Sequence, residues 1–365
     1  MDFTLDEEQQ AVRGLAAQIL DGTVAPERLR SLEAAGEHMD QVSWKALADA
    51  GLVGIAIPDE HGGSGLGFLE ACLVLEQVGR HVAPVPYYAS VVLGALPLAR
   101  FGTNEQQQRL LPAVATGELI LTAALLESGA PPDSPRTTAQ RDGDAWVLTG
   151  AKDFVAAGLD ADHMLVSATT DEGPALFLID AAAPGVARER QLVTNQIPEA
   201  RVVLDRARAD HLADHDALTW TIQRATAALC ATAIGVFDEA VRLTATYTTT
   251  RQQFAKPISS FQAVTQRAAD AYIDTEAVRL TAWQAVWRLA EELPAEAEVA
   301  TAKFWAADGG QRVAAAAQHL HGGMGVDRDY PLHRHFLWAK WIQLNLGGAN
   351  QQLREIGKLI AASAG

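Results

Sequence analysis

Cysteine is scarce in this chain, which has 2 cysteines in 365 residues. Cys72 lies in EACLVLEQV and Cys230 in ATAALCATAIG, both apolar stretches typical of helix interiors. The sequence therefore predicts two small reduced core residues and no disulfide framework. Net positive charge is also absent, because 29 basic residues against 45 acidic ones give a formal charge of -16. Such a balance argues against nucleic acid or an anionic membrane as a partner and leaves soluble proteins and small molecules.

Long hydrophobic runs are absent as well. No stretch of about 18 apolar residues is present, so no membrane-spanning helix is predicted. The opening residues MDFTLDEEQQ carry acid where a signal peptide carries a basic segment, and we expect a cytoplasmic protein. With 48% hydrophobic and 20% charged residues, the chain has the composition of a globular protein with a large core.

The pattern of apolar and turn residues changes twice along the sequence. This predicts three domains, at 1–118, 119–215 and 216–365. The first is helical and opens with TLDEEQQAVRGLAAQIL, in which Thr4 is the expected cap and Leu15 belongs to the expected apolar stripe. The second contains short apolar runs (AWVLTG, HMLVSATT, ALFLID, ARVVLD) between turn residues, a β pattern. The third returns to long helices, the first predicted to run from Ala217 to Phe254.

Five phrases occur in a fixed order along the chain: GLVGIAIPDEHGGSG (51–65), FGTNEQQQRLLPAVATGEL (101–119), LTGAKDFVAAG (148–158), RQQFAKPISSFQAV (251–264) and HLHGGMGVDRDYPLHRHF (319–336). Together they resemble the acyl-CoA dehydrogenase family across essentially the whole chain. The resemblance implies an α+β fold with an N-terminal helical domain, a middle β-barrel or sandwich domain and a C-terminal four-helix bundle. It also implies α,β-dehydrogenation of an acyl-CoA thioester, with electrons passing to FAD and then to an acceptor.

In this family one subunit donates residues to the FAD of its neighbour, and those positions are largely intact here. By the resemblance they are Arg251, Phe254, Ile258, Gln262, His319, Gly322 and Gly323. A guanidinium pairs with phosphate oxygens through a fixed fork of donors, and glycine allows the backbone to approach a dinucleotide closely. Two positions differ from the family, since His319 replaces the usual glutamine and Ala255 the usual glycine.

The positions that would receive the flavin ring have changed. By the resemblance, Leu126 stands at a threonine position and Pro132 at a serine position. The usual Trp-Ile-Thr contact reads Phe154, Val155 and Ala156. A flavin needs hydrogen-bond donors at the edge of its ring, and three hydroxyl donors are missing. The sequence therefore predicts that this chain's own flavin pocket is impaired.

The catalytic base is also missing at the positions where the family carries it. Alignment of the C-terminal phrase places Leu346 at the usual glutamate position, with Gly347 retained beside it. Members that carry the base on the first C-terminal helix would have it at 223–225, here Gln223, Arg224 and Ala225. None of these side chains can take the α-proton from a substrate, so the chain is predicted to contain no catalytic residue.

Two His-x-His pairs, His319 with His321 and His333 with His335, raise the question of a metal site. On a helix, residues two apart point about 200° from one another. No cysteine or fixed carboxylate is near in the sequence to complete a site, and we predict no metal ion.

These features predict the base-lacking partner in a heteromeric acyl-CoA dehydrogenase, with a paralogous chain completing an α2β2 assembly. This chain would donate FAD-binding residues, and a steroid side-chain CoA ester is a substrate that such complexes use. Two other hypotheses stay open at this point. The chain could be a self-sufficient homotetramer with a displaced base such as Glu127, or an acyl-CoA-binding or structural paralogue without flavin.

Overall fold

The computed structural model describes residues 4–143 and 145–363. These residues form two compact units, one drawn from 1–37, 72–83 and 226–365 and the other from 38–71 and 84–225. The division at 118 and 215 therefore stays a prediction from the sequence.

Helices account for most of the chain, and we number them in order. They are α1 (Glu7–Thr23), α2 (Pro26–Ala35), α3 (Gln41–Asp49), α4 (Phe68–His81), α5 (Leu96–Phe101), α6 (Asn104–Ala115), α7 (His215–Thr250), α8 (Gln262–Ala290), α9 (Glu296–Phe304), α10 (Gly310–His321), α11 (Leu332–Leu344) and α12 (Ala349–Ser363). Two π-helical segments precede α5 and α10, at Tyr88–Ala95 and Trp305–Gly309, and a 3-10 segment follows α10 at Gly322–Val326.

The first helix begins two residues later than the Thr4 cap requires, so that prediction was wrong. Asp6 is the N-cap, and it forms a capping box with Gln9 because each side chain accepts from the other residue's backbone amide. The buried face consists of Val12, Ala16 and Leu20. Leu15 is 39% exposed, because a helix turns 100° per residue and places it beside that face.

In the first unit, glycine lets helices α4 and α7 cross with their backbones in contact. A Cβ built on Gly235 would lie 1.9 Å from the carbonyl oxygen of Glu76, and one on Gly79 would lie 2.1 Å from that of Thr232. Any larger residue at either position would push the helices apart. Cys72 and Cys230 lie on these two helices, and both are fully buried thiols as predicted.

The second unit contains a closed β-barrel. Its strands are β1 (Leu121–Ala124), β2 (Thr138–Asp142), β3 (Ala145–Val155), β4 (His163–Thr170), β5 (Gly173–Asp180), β6 (Val186–Gln191) and β7 (Glu199–Ala213). Hydrogen bonding runs β4-β2-β3-β7-β5 and returns from β5 to β4, while β1 extends the edge of β4 and β6 pairs with β7. Apolar side chains from alternate positions fill the interior, among them Leu148, Met164, Phe177 and Val202. The predicted helical, β and helical order is confirmed.

Strand β3 is irregular where the sequence places a flavin contact. Its pairing with β7 shifts register between Lys152 and Val155, and Phe154 within that shift has a φ of 55°. Bulges of this kind bend a strand and redirect a side chain, and they are frequent next to functional sites. Phe154 is 44% exposed as a result.

No helix among the described residues combines the length and the apolar content needed to span a bilayer.

Candidate functional site

Helix α7 ends at Thr250 rather than at the predicted Phe254, and the next eight residues form a tight arm, the 251–258 hairpin. Gln253 pairs with Lys256, and the amide of Ile258 donates to the Arg251 carbonyl at 2.9 Å. The two turn residues, Phe254 and Ala255, have φ values of 53° and 61°. A turn with positive φ at both positions normally uses asparagine and glycine. Each non-glycine residue held there costs about 1–3 kcal/mol, so the surrounding structure must enforce the shape.

The hairpin presents a cation and an aromatic ring to solvent. Phe254 is 88% exposed. Arg251 is exposed, and within residues 4–143 and 145–363 its guanidinium has no hydrogen-bond or ion-pair partner. Gln262 at the start of α8 is exposed and Ile258 is half-buried. An exposed guanidinium can pair with the phosphate oxygens of a ligand, which is the role that the family resemblance implies for Arg251.

The glycine loop that follows α10 lies open. Gly322 has a φ of 59° and a ψ of -134°, a conformation open only to glycine. A Cβ built on either Gly322 or Gly323 would have no heavy atom within 4 Å among the neighbours considered. His319, two residues before the end of α10, is exposed. The backbone of this loop is therefore accessible to a ligand.

The hairpin and the glycine loop are connected through an aromatic contact that sequence reasoning missed. The ring of Tyr247, one helical turn before Arg251, stacks on His321 with centroids 4.5 Å apart and planes 24° apart. His321 directly precedes Gly322. The structure thus brings the sequence-predicted residues of 251–262 and 319–323 into one region of the first unit, which we call the donor surface.

Among the positions predicted to face this chain's own flavin, the Phe154 amide already has a partner within the chain, and so do the donors of nearby Ser128. In residues 126–132 and 153–156, the Phe154 amide donates to Gln191 Oε1 at 2.7 Å, and the Ser128 amide and hydroxyl donate to Asp153 Oδ2 at 3.1 and 2.7 Å. The Leu126 carbonyl accepts from the Asp153 amide at 2.9 Å. We call residues 126–132 and 153–156 the closed edge, because the donors of Ser128 and Phe154 are bonded within the chain.

Glu127, the candidate for a displaced base, is held in a buried ion pair. Its Oε1 accepts from Lys152 Nζ at 2.6 Å and from the Thr137 amide at 3.0 Å, and its Oε2 accepts from the Arg136 amide at 2.7 Å. Burial alone would raise the pKa of Glu127, but the hydrogen bond and charge of Lys152 outweigh it and lower that pKa. A carboxylate with both oxygens occupied and a lowered pKa is a poor proton acceptor.

Leu346 lies in a turn whose shape does not suit leucine. Its φ is 50°, Gly347 follows with a φ of 96°, and the Leu346 side chain is buried. The turn is fixed from both sides: Gln352 Nε2 donates to the Leu346 carbonyl at 3.2 Å, and buried Lys303 donates to the Ile342 carbonyl at the end of α11 at 2.9 Å. Burial lowers the pKa of Lys303 to about 8. Hydrogen bonds thus fix the backbone of this turn, but the leucine side chain has no group that can accept a proton.

A buried cation stands where the family's alternative base would lie. Arg224 is 4% exposed, and its guanidinium lies 3.7 Å from the centre of the Trp220 ring. Trp220 in turn meets Phe101 edge to face at 5.3 Å. A guanidinium stays protonated in proteins and cannot act as a general base. No pattern in the sequence indicates this stacking.

The four histidines do not converge. His319 is exposed, whereas His321, His333 and His335 are buried and contact backbone carbonyls through Nδ1. Burial lowers the pKa of each of the three buried imidazoles. No group of three potential ligands able to hold a metal ion occurs in the described part of the chain.

One surface cleft of about 600 Å³ lies in the second unit, near the ends of α6 and β4. Its lining includes Glu118, Asp160, Asp162, His163 and Arg188. None of the residues predicted for cofactor binding lines it. Two of its carboxylates have partners in the chain, since Asp162 accepts from the Ile120 amide at 2.8 Å and Asp160 Oδ2 lies 2.9 Å from His38 Nε2.

The chain is similar to known proteins along almost its entire length. Three family models match, described as the acyl-CoA dehydrogenase N-terminal domain at residues 6–118, the middle domain at 126–207 and the C-terminal domain at 215–361. The acyl-CoA dehydrogenase FadE27 of Mycobacterium tuberculosis is 42% identical over 99% of both chains.

Two solved structures are also close. A chain of the ChsE4-ChsE5 complex from Mycobacterium tuberculosis superposes with a TM-score of 0.95 at 43% identity, and covers 99% of each chain. A variant of the Tcur3481-Tcur3483 steroid ACAD gives a TM-score of 0.95 at 45% identity with the same coverage.

Proposed function

The chain belongs to the acyl-CoA dehydrogenase family of FAD-dependent oxidoreductases, and on that premise we propose that it is the base-lacking subunit of a heteromeric dehydrogenase. In this proposal a paralogous chain provides the catalytic carboxylate and the flavin-ring pocket. This chain donates its 251–262 and 319–323 residues to the FAD that the partner holds.

The observation that carries the proposal is the contrast between the donor surface and the closed edge. Arg251 and Phe254 are both exposed, and among the described residues the Arg251 guanidinium has no partner. At the closed edge, the Ser128 and Phe154 donors are satisfied by the chain's own side chains. A polar group already bonded internally gains little from a ligand, whereas an unpaired guanidinium gains a charge-assisted pair.

Each donated residue has a defined task in this account. Arg251 pairs with the pyrophosphate, and Phe254 and Ile258 pack against the adenosine end. The Gly322–Gly323 backbone comes close to the dinucleotide because no side chain stands in the way. FAD held by these residues and the partner chain would supply the acceptor for the hydride that leaves the β-carbon of the acyl-CoA, and a separate acceptor would take up the electrons.

No side chain of this chain takes the α-proton, and three observations support that. Leu346 has no acidic group, Glu127 is paired with Lys152, and Arg224 is a cation. The base therefore comes from the paralogue. We expect the chain alone to be inactive.

The two similar solved structures support an assembly of two different chains, because each is named as a pair, ChsE4-ChsE5 and Tcur3481-Tcur3483. One of them is a steroid ACAD, which favours a CoA ester of a steroid side chain as the substrate class here. An α2β2 assembly would then hold two flavins, one for each pair of unlike chains.

The visible spectrum of the purified protein, combined with the native mass of the assembly, tests the proposal. We expect the chain alone to be colourless, and the complex with its paralogue to be a yellow α2β2 tetramer with two FAD. Acyl-CoA should bleach the complex. A yellow chain alone with one FAD per subunit would contradict a donated half-site, and a colourless complex would support a flavin-free paralogue.

A further inference from the structure

The donor surface consists of two elements that lie far apart in the sequence. One is the 251–258 hairpin, which turns through two positive-φ residues, and the other is the 322–326 segment, which begins with two glycines. By the proposed function, both must meet one dinucleotide. Something next to them must set their spacing.

Three rings lie between these elements: Tyr247 on α7, His321 at the end of α10, and Tyr330 just before α11. Tyr247 stacks on His321 at 4.5 Å, and the Tyr330 ring lies 5.2 Å from His321 and 6.3 Å from Tyr247. Each ring therefore touches the other two. We call this group the Tyr247–His321–Tyr330 cluster.

Hydrogen bonds fix the orientation of the central ring. The Ala317 carbonyl, 2.8 Å from His321 Nδ1, can only accept, so Nδ1 carries the hydrogen. His321 Nε2 is then an acceptor, and the Tyr330 hydroxyl donates to it at 3.1 Å. Burial lowers the pKa of His321, which agrees with this neutral form. Hydrogen bonds at both ring nitrogens thus fix the imidazole. A shift of Tyr330 would therefore also shift His321 and the Tyr247 ring stacked on it.

The cluster is directly connected to both halves of the donor surface. The Arg251 amide donates to the Tyr247 carbonyl at 2.9 Å, and His321 is bonded through the chain to Gly322. Below the rings, Ala240, Ala317 and Leu332 form a small buried core that anchors the three helices.

We propose that the Tyr247–His321–Tyr330 cluster is a positioning device that sets Arg251 and the Gly322–Gly323 backbone at the spacing a single dinucleotide requires. The three residues do not touch the cofactor themselves. The inference rests on the proposed function, because it assumes that the donor surface binds the FAD of a partner chain.

The test uses the assembled complex of this chain with its paralogue, stripped of FAD and titrated again by flavin fluorescence below its unfolding temperature. Tyr330→Phe removes only the hydroxyl that orients His321, and we expect FAD to bind about 5-fold more weakly, the value of one hydrogen bond. Tyr87→Phe is the matched control, because the Tyr87 hydroxyl is also buried and donates to the Leu52 carbonyl at 2.9 Å in the other unit. We expect it to leave FAD affinity unchanged.

A double-mutant cycle separates positioning from general stability. If the cluster acts through Arg251, then Tyr330→Phe added to Arg251→Ala should weaken FAD binding less than 2-fold further. A full 5-fold loss in both backgrounds, or no loss from Tyr330→Phe, would overturn the positioning role while Arg251→Ala alone still upheld the donor surface. No loss from Arg251→Ala would instead overturn the proposed function and this inference with it.

Discussion

Two regions of this chain each project a phenylalanine from a left-handed backbone, and they differ in what surrounds it. Phe254 has a φ of 53° and stands on a hairpin that also carries Arg251, whose guanidinium has no partner in the described residues. Phe154 has a φ of 55° and stands in a bulge whose amide is bonded to Gln191. Backbone strain is common at functional sites, but it is the same in both. The two regions differ in their donors: the Arg251 guanidinium is unpaired among the described residues, and the Phe154 amide is bonded internally.

The turn at Leu346 extends that lesson from donors to the base. The backbone keeps two consecutive positive-φ residues and a buried Lys303 cap, while the side chain has become apolar. In the proposed function this is the position of the missing base, and leucine has no group that can accept a proton there. Backbone geometry alone overstates what this chain can do.

The largest expected effect concerns the cation of the donor surface. Arg251→Ala in the assembled complex should weaken FAD binding about 100-fold, because a charge-assisted bidentate pair with phosphate is lost. Titration of the apo complex with FAD measures it. Arg109→Ala, at an exposed arginine in the other unit, should change the affinity less than 2-fold. Equal effects of the two variants would remove the distinction between the regions.

A smaller loss is expected at the tip of the hairpin. Phe254→Ala should weaken FAD binding about 10-fold, because an aromatic ring packed on a ligand contributes roughly 1–3 kcal/mol. Leu192→Ala is the control, since Leu192 is 78% exposed and lies outside the donor surface. If both variants bind FAD as the wild type does, Phe254 has no part in cofactor binding.

The strain in the hairpin turn should be measurable by itself. Ala255 has a φ of 61°, so Ala255→Gly should raise the free energy of unfolding by about 1 kcal/mol and leave FAD affinity within 2-fold. Ala269→Gly, at an exposed position within α8, should lower stability by a similar amount. Thermal unfolding of the two variants should thus shift in opposite directions, and a shift in the same direction would contradict the strain.

Activity should be insensitive to the ion pair of the closed edge. The double variant Glu127→Leu with Lys152→Met removes both charges together, which avoids leaving either one buried and unpaired. We expect the kcat of the complex to stay within 2-fold of wild type. A loss of 10²-fold or more, the scale of a missing general base, would make Glu127 the base after all.

The smallest effect is expected at Leu346, the position where the family resemblance places the catalytic glutamate. Leu346→Glu restores a carboxylate at the family position, but the closed edge still offers no flavin-ring pocket, so we expect no activity from the chain alone. Bleaching of added FAD by acyl-CoA is the assay. Appearance of activity would mean that only the base had been lost and that the closed edge can reopen.

The sequence predicted those parts of the fold that depend on local patterns. Strands β3, β4, β5 and β7 matched apolar runs, whereas β6, with the sequence VARERQ, has no apolar alternation and was not predicted. Its strand conformation comes from pairing with β7. The predicted end of helix α7 lies four residues beyond the observed one, at Phe254 instead of Thr250, because RQQF contains no helix breaker.

Contacts between distant residues could not be read from the sequence. Lys152 contacts Glu127, 25 residues away in the sequence, and His321 contacts Tyr247, 74 residues away. No periodic pattern in the sequence predicts either contact. The motif RQQFAKPISSFQAV predicted the roles of Arg251 and Phe254, but it did not predict that both side chains are exposed. The hydrogen-bond partners of each region, on which the proposed function depends, are visible only in the structure.

The most direct test of the donor surface is photolabelling with FAD that carries an azide on its adenine, followed by mass spectrometry of the labelled peptide. In the complex of this chain with its paralogue, we predict that the label falls on this chain, within residues 251–262. Label found solely on the paralogue would contradict the donation of this surface to the partner's FAD.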